Sequence, residues 1–179
     1  MSEHLTPFDP HLKRGHYLQD PYHDVNHDAF RLRGKLRDGS ACNTCSVVFH
    51  KGLMRWADDV NSEYPEKDRS KGHFECPACQ RVRERIPGGV VTIRGMFFHQ
   101  HEEEILNLIK SLEHEEHSQH PMQRIISMMP IRLGLEITTT YEHLARRIGD
   151  ALQSAYHGEL QIQYSKGEKL VRVVWCRGE

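Results

Sequence analysis

The sequence predicts an α+β protein, in which a zinc-ribbon-like module is followed by a ferredoxin-like β-α-β-β-α-β-β domain. Three observations lead there. Four of the five cysteines form two pairs, Cys42-x-x-Cys45 and Cys76-x-x-Cys79. Two later stretches, Glu102 to His117 and Tyr141 to Tyr156, repeat apolar residues at helical spacing. Short β-branched runs lie around those stretches, parted by glycine, proline and polar turns.

Each element follows in chain order. Residues 1–41 hold Pro7, Pro10 and Pro21, many histidines and no apolar period, and read as an extended or disordered basic arm. Residues 42–86 form the metal module. Within it Val47 to Phe49 reads as a short strand, Leu53 to Trp56 as a turn or strand, and Asp58 to Gly72 as a polar insertion. Pro87-Gly88-Gly89 closes the module. Residues 90–176 carry the larger domain. Val90 to Phe98 reads as a strand, and Glu102 to His117 as a helix with Ile105, Leu108, Ile109 and Leu112 on its apolar stripe. Arg124 to Met129 and Leu133 to Thr138 read as strands connected through Pro130. The helix from Tyr141 to Tyr156 buries Ala145, Ile148, Leu152 and Ala155, with Thr139 and Glu142 as a capping box and Gly158 as its stop. Glu159 to Tyr164 and Leu170 to Cys176 form a terminal hairpin.

Composition narrows the function. The chain has 179 residues and a mass of 20.9 kDa, enough for one domain with a small module or for two small domains. Lys plus Arg is 24 and Asp plus Glu is 25, a net charge of −1. That balance argues against a bulk polycation that coats nucleic acid, so any nucleic-acid surface depends on local segregation of charge. No apolar run is long enough for a membrane span. Met1 to Asp9 carries no basic region leading into an apolar stretch, so a cytoplasmic protein is expected.

The cysteine spacing carries the clearest chemistry. Two C-x-x-C turns can present Cys42, Cys45, Cys76 and Cys79 tetrahedrally to one zinc ion. Soft thiolates favour zinc or iron over hard divalent cations. Four cysteines leave no position open for water, so a structural ion is expected rather than a catalytic one. Iron in the same cage and a pair of redox dithiols are the alternatives. Cys176 is left out as a small residue of the last strand.

Charge is locally segregated. Arg31, Arg33, Lys35 and Arg37 alternate before the first knuckle, and Arg81, Arg83 and Arg85 alternate after the second, with Arg94 beyond. Glu102 to Glu116 brings six glutamates against Lys110. These eight basic residues are the candidate RNA-contacting set, with Phe74 and Trp56 as stacking partners. Arg124, Arg146 and Arg147 form a weaker basic set, of which Arg146 and Arg147 are expected to bridge locally to Glu142 and Asp150, with phosphate contact as the alternative. A protein-interaction or regulatory module is the second reading. A metalloenzyme using His114, His117 and neighbouring glutamates of the first long helix is the third. No phosphate-binding loop and no His-Glu-x-x-His motif occurs.

Cys42 to Cys79 with Arg81, the stretch Ile137-Thr138-Thr139-Thr140-Tyr141-Glu142-His143-Leu144-Ala145-Arg146-Arg147-Ile148-Gly149-Asp150-Ala151-Leu152, and the closing segments Tyr156 to Leu160 and Val171 to Trp175 carry a resemblance. They resemble an uncharacterised bacterial zinc-binding family, itself distantly similar to the N-terminal region of the archaeal and eukaryotic adaptor for large-ribosomal-subunit export. The resemblance spans roughly residues 40–176. It implies a zinc-binding, RNA- or ribosome-associated protein without catalytic activity. The adaptor family has two four-cysteine sites, and this chain has cysteines for one.

Overall fold

The computed structural model describes residues 30, 36–69, 74–165 and 169–178. Arg31, Arg33 and Lys35 lie outside the described residues, as does most of the segment read as an arm. Residues 36–41 belong structurally to the metal module. Gly39 N–H donates to the Phe49 carbonyl at 2.9 Å, and Ala41 bridges to Val48.

The module begins with β1 (Val48–His50) and β2 (Leu53–Arg55), an antiparallel hairpin. Lys51 and Gly52 turn it with φ of 46° and 87°, the left-handed pair that matches strand twist. Among its described residues, the polar excursion that follows contains one 3-10 turn, Glu66–Asp68. Arg69 pins this excursion by donating to the carbonyls of Tyr64 and Ala57 and to Asn61 Oδ1, at 2.8, 2.9 and 2.9 Å.

The second knuckle opens a helix, α1 (Pro77–Glu84). Cys76 is its N-cap residue and Pro77 its first residue, a position where the missing N–H costs nothing. Arg81 and Arg83, which alternate in the sequence, therefore lie on a helix that Arg85 closes, not along one side of an extended chain. On a helix Arg81, Arg83 and Arg85 point in three directions. Arg81 is buried, Arg83 is exposed, and Arg85 caps the C-terminus in the left-handed conformation.

β3 (Gly89–Arg94) ends four residues earlier than the sequence pattern predicts. Gly95 takes φ 107°, which breaks the strand and starts the short helix α2 (Met96–Gln100). α3 (Glu102–Gln119) follows, then β4 (Ile125–Ile131) and β5 (Gly134–Thr139). Pro130 lies inside β4 rather than in the connection, because β4 is an edge strand and tolerates a residue without an N–H. α4 (Glu142–Tyr156), β6 (Glu159–Tyr164) and β7 (Val171–Cys176) complete the chain. The expected capping box does not form. Tyr141 is the N-cap residue of α4, and Thr139 Oγ1 donates to the Tyr141 carbonyl at 2.8 Å.

The five strands lie in the order β4-β5-β3-β7-β6. β3 is parallel to β7, and every other pairing is antiparallel. The fold is thus α+β, with helices interleaved along a mixed sheet. The extra strand of the predicted order is inserted beside β3 in the sheet interior, because β6 turns back through a hairpin.

One face of the sheet packs on helices. Val91, Ile93, Ile137, Val173 and Trp175 meet Ile105 and Ile109 of α3 and Leu144, Ile148 and Leu152 of α4, all fully buried. Gly149 permits the close approach of α4, since a Cβ there would lie 2.5 Å from Val173 Cγ1 and 3.0 Å from Leu160 Cδ1. The opposite parity places Met129, Glu136, Thr92, Val174 and Gln161 in one row across the other face. No aromatic residue of β3, β5 or β7 shares that face.

Ile148→Ala is expected to lower unfolding free energy by about 2–5 kcal/mol in denaturant titration, from lost burial plus the cavity left behind. Met129→Ala, at a side chain 58% exposed, should change it by less than about 0.5 kcal/mol.

Candidate metal centre

The two knuckles converge. The sulfurs of Cys42, Cys45, Cys76 and Cys79 all lie within 4.8 Å of one another, and three of the four residues are buried. Cys42 and Cys79 sulfurs are 4.0 Å apart, and those of Cys45 and Cys76 are 3.7 Å apart. Four thiolates held tetrahedrally at ~2.3 Å from one ion lie ~3.8 Å from each other, so these separations suit a single metal ion. All five cysteines are free of disulfides.

Local backbone sets the first knuckle. Cys42 N–H donates to the Val47 carbonyl at 2.8 Å, and Ser46 N–H to the Cys42 carbonyl at 3.1 Å. The second knuckle is held by the N-terminus of α1, whose dipole favours negative sulfur. Cys76 N–H donates to Cys42 Sγ at 3.2 Å, joining the two turns.

The residue that sequence reasoning missed is Arg124. It donates from Nη2 to Cys45 Sγ at 3.2 Å and from Nη1 to Cys79 Sγ at 3.4 Å. Nε donates to the Pro121 carbonyl at 2.8 Å, which fixes the guanidinium over the sulfurs. A fixed cation beside a four-thiolate cage offsets part of its negative charge. The same field sets the protonation pattern. Hydrogen bonding from Cys76, helped by Arg124 against the effect of burial, brings the Cys45 thiol down to about 4. Cys76, the donor in that pair and itself buried, is pushed well above the usual thiol range. Burial, with the Cys45 hydrogen bond, raises Cys79 to about 11. Without metal, Cys45 is a thiolate at neutral pH while Cys76 and Cys79 keep their protons, which an incoming ion displaces.

Neither expected stacking partner is available to a ligand. Phe74 is buried in the cluster around the cysteines. Trp56 is half-buried, donates from Nε1 to the His117 carbonyl at 2.7 Å, and meets the His117 ring edge-on at 4.7 Å. Burial, followed by the Arg124 charge, lowers the His117 imidazole. Among the described residues, the four cysteines are the one group placed to hold a metal, and His114 with His117 forms no second set.

The basic set disperses. Arg83 pairs with Glu75 at 3.1 Å and Glu84 at 3.0 Å. Arg81 is buried, at 4% exposure. Arg94 sits at the far end of β3, ~16 Å of strand from Gly89 at the module's side. Arg37 and Arg85 are exposed. Arg147 pairs not with its helical neighbours but across to α3, with Glu115 at 2.8 Å and with the buried Glu116.

Cys76→Ser is expected to abolish stoichiometric zinc retention after purification, read by elemental analysis. Arg124→Met should weaken zinc affinity about 10–100-fold in chelator competition. Affinity should fall as pH drops from 8 to 6, because protons that the ion must displace from Cys76 and Cys79 are then held more firmly. A pH-independent affinity would contradict this protonation pattern. In comparisons with known proteins, no family model, curated protein or solved structure matches the chain.

Proposed function

We propose that the protein is a zinc-stabilised binding protein without catalytic activity, which associates with RNA or the ribosome in the cytoplasm. The observation that carries the first part is the closed four-sulfur cage. Its ligand set suits zinc, leaves no place for substrate or water once the ion is bound, and receives two hydrogen bonds from Arg124. The ion acts as architecture for a module too small to build its own core. We read that module as a ribbon variant in which a helix follows the second knuckle. We read the larger domain as a ferredoxin-like variant with a parallel strand inserted beside β3.

The RNA part is supported by the family resemblance and by exposed cations on the metal module. Arg37, Arg55 and Arg85 are exposed and make no ion pair among the described residues. The sheet offers no aromatic stacking platform on its open face, so contact through phosphates and backbone is favoured over base stacking. A protein partner is the second reading. It draws on exposed apolar side chains near the β4–β5 hairpin, where Met129 and Leu133 are each 58% exposed.

Affinity purification of the full chain from lysate, with and without nuclease, separates the two. RNA that co-purifies, is lost on nuclease treatment and weakens with salt supports the first reading. Replacing Arg37, Arg55 and Arg85 with alanine should then lower the slope of log affinity against log salt by about 2. A partner that survives nuclease, with no RNA enriched, replaces it with the second.

A further inference from the structure

The five-stranded sheet has two edges, β4 and β6, and they are built differently. β4 carries Pro130 and a register shift between Ile125 and Ser127, two devices that spoil an edge for further pairing. β6 has neither, and it holds no lysine. It keeps unbroken register with β7, from Glu159 opposite Cys176 to Tyr164 opposite Val171. Just beyond, Ser165 N–H donates to the Leu170 carbonyl at 3.0 Å. The pairs that exchange hydrogen bonds alternate from there: Gln163 with Arg172, Gln161 with Val174, and Glu159 with Cys176. The N–H and C=O groups of Leu160 and Ile162 therefore point away from β7, and among the described residues nothing bonds to them. Such an edge is a template for another strand.

We propose that this edge receives β6 of a second copy of the chain, antiparallel across a two-fold axis at Gln161, so that two five-stranded sheets join into one. The strand's own sequence carries the choice. In this register Leu160 of one copy exchanges hydrogen bonds with Ile162 of the other, and Ile162 with Leu160. Both side chains are half-buried at the rim of the helix-covered face, and the pairing covers what is left exposed. Gln161 meets Gln161 of the second copy in a pair without hydrogen bonds, the kind whose side chains come closer. Glu159 stands opposite Gln163 of the second copy, and Arg172 of that copy lies one strand further, ~9.6 Å from Glu159 across two strand spacings. Glu159 and Arg172 are both exposed and make no ion pair among the described residues. Within one copy they cannot meet, because four residues of strand, ~13 Å, separate Glu159 from Gln163. The axis thus brings opposite charges toward each other at both ends of the shared pair and sets no like charges face to face.

The test is sedimentation equilibrium of the full chain, nuclease-treated and supplied with zinc, at about 100 µM. The expected mass is twice the 20.9 kDa of one chain. Gln161→Lys and Gln161→Glu should each weaken the dimer about tenfold, because like charges then face each other across the axis. An equimolar mixture of the two should recover it as a heterodimer. Both variants lose whatever Gln161 contacts inside its own chain, so recovery on mixing reports the contact between copies alone. Far-UV circular dichroism verifies that each variant is folded. Amide hydrogen exchange at Leu160 and Ile162 should speed up about tenfold in either variant alone, while that at Gln163 keeps its rate. A monomer at this concentration would overturn the proposal and leave the edge to a strand of another protein. A dimer that both variants leave intact, or that mixing does not restore, would overturn it too.

Discussion

Four sulfurs within 4.8 Å of one another constrain the whole N-terminal half of the described chain. As thiolates they repel, and as thiols they hydrogen-bond weakly and waste a buried polar cluster. A metal ion, for which the four sulfurs are suitably placed, would resolve the conflict. The packing around the site shows how much rests on it. Of the buried residues in that cluster, Cys42, Cys76 and Cys79 are themselves ligand candidates, leaving Val47, Phe74 and Ala78. Half-buried Leu36, Met54, Trp56 and Tyr141 pack around them, a small apolar core for a segment that long, and a metal ion held by the knuckles would add the cross-link such a core lacks.

The same centre explains how the module is fixed to the larger domain. Arg124 leads into β4, yet its guanidinium reaches the sulfurs of both knuckles. It also lies 5.9 Å from the Trp56 ring, and Trp56 in turn bonds to the end of α3 through the His117 carbonyl. The Arg124 backbone N–H donates to Thr140 Oγ1 at 2.9 Å, and Tyr141 packs against the cysteine cluster. Residues just before β4 and just after β5 therefore face the metal centre from one side. The pairing of those two strands decides where the module sits.

What the sequence revealed, and what it concealed, follows from the range of each interaction. The cysteine pairs were legible because ligand spacing is local. Helices α3 and α4 were legible because an apolar period sustained over several turns fits an amphipathic helix and little else. Arg81, Arg83 and Arg85 misled, since a spacing of two over three positions fits a strand and a helix alike. Pro77 directly after Cys76 was the signal that a helix begins there. Gly95 marked the true end of β3 in the same way. Arg124 carried no such signal. Its partners are 45 and 79 residues away in the chain, and only the folded sheet brings them together.

Charge shows most clearly how the fold alters a sequence-level reading. The acidic run on α3 looks like an open negative face, but Glu113 accepts from Ile125 N–H at 2.8 Å, and Glu115 and Glu116 bind Arg147. The basic residues are engaged likewise: Arg81 is buried against aromatic rings, Arg83 stays exposed but is paired with two glutamates, and Arg124 faces sulfur. Cations that remain exposed and unpaired among the described residues, such as Arg37, Arg55, Arg132 and Arg172, are scattered over the module, the β4–β5 hairpin and the sheet. A surface of that kind exerts little long-range pull on a polyanion. Binding to one would depend on a few phosphates meeting a few arginines at fixed positions, and those positions are set by the metal-centred packing.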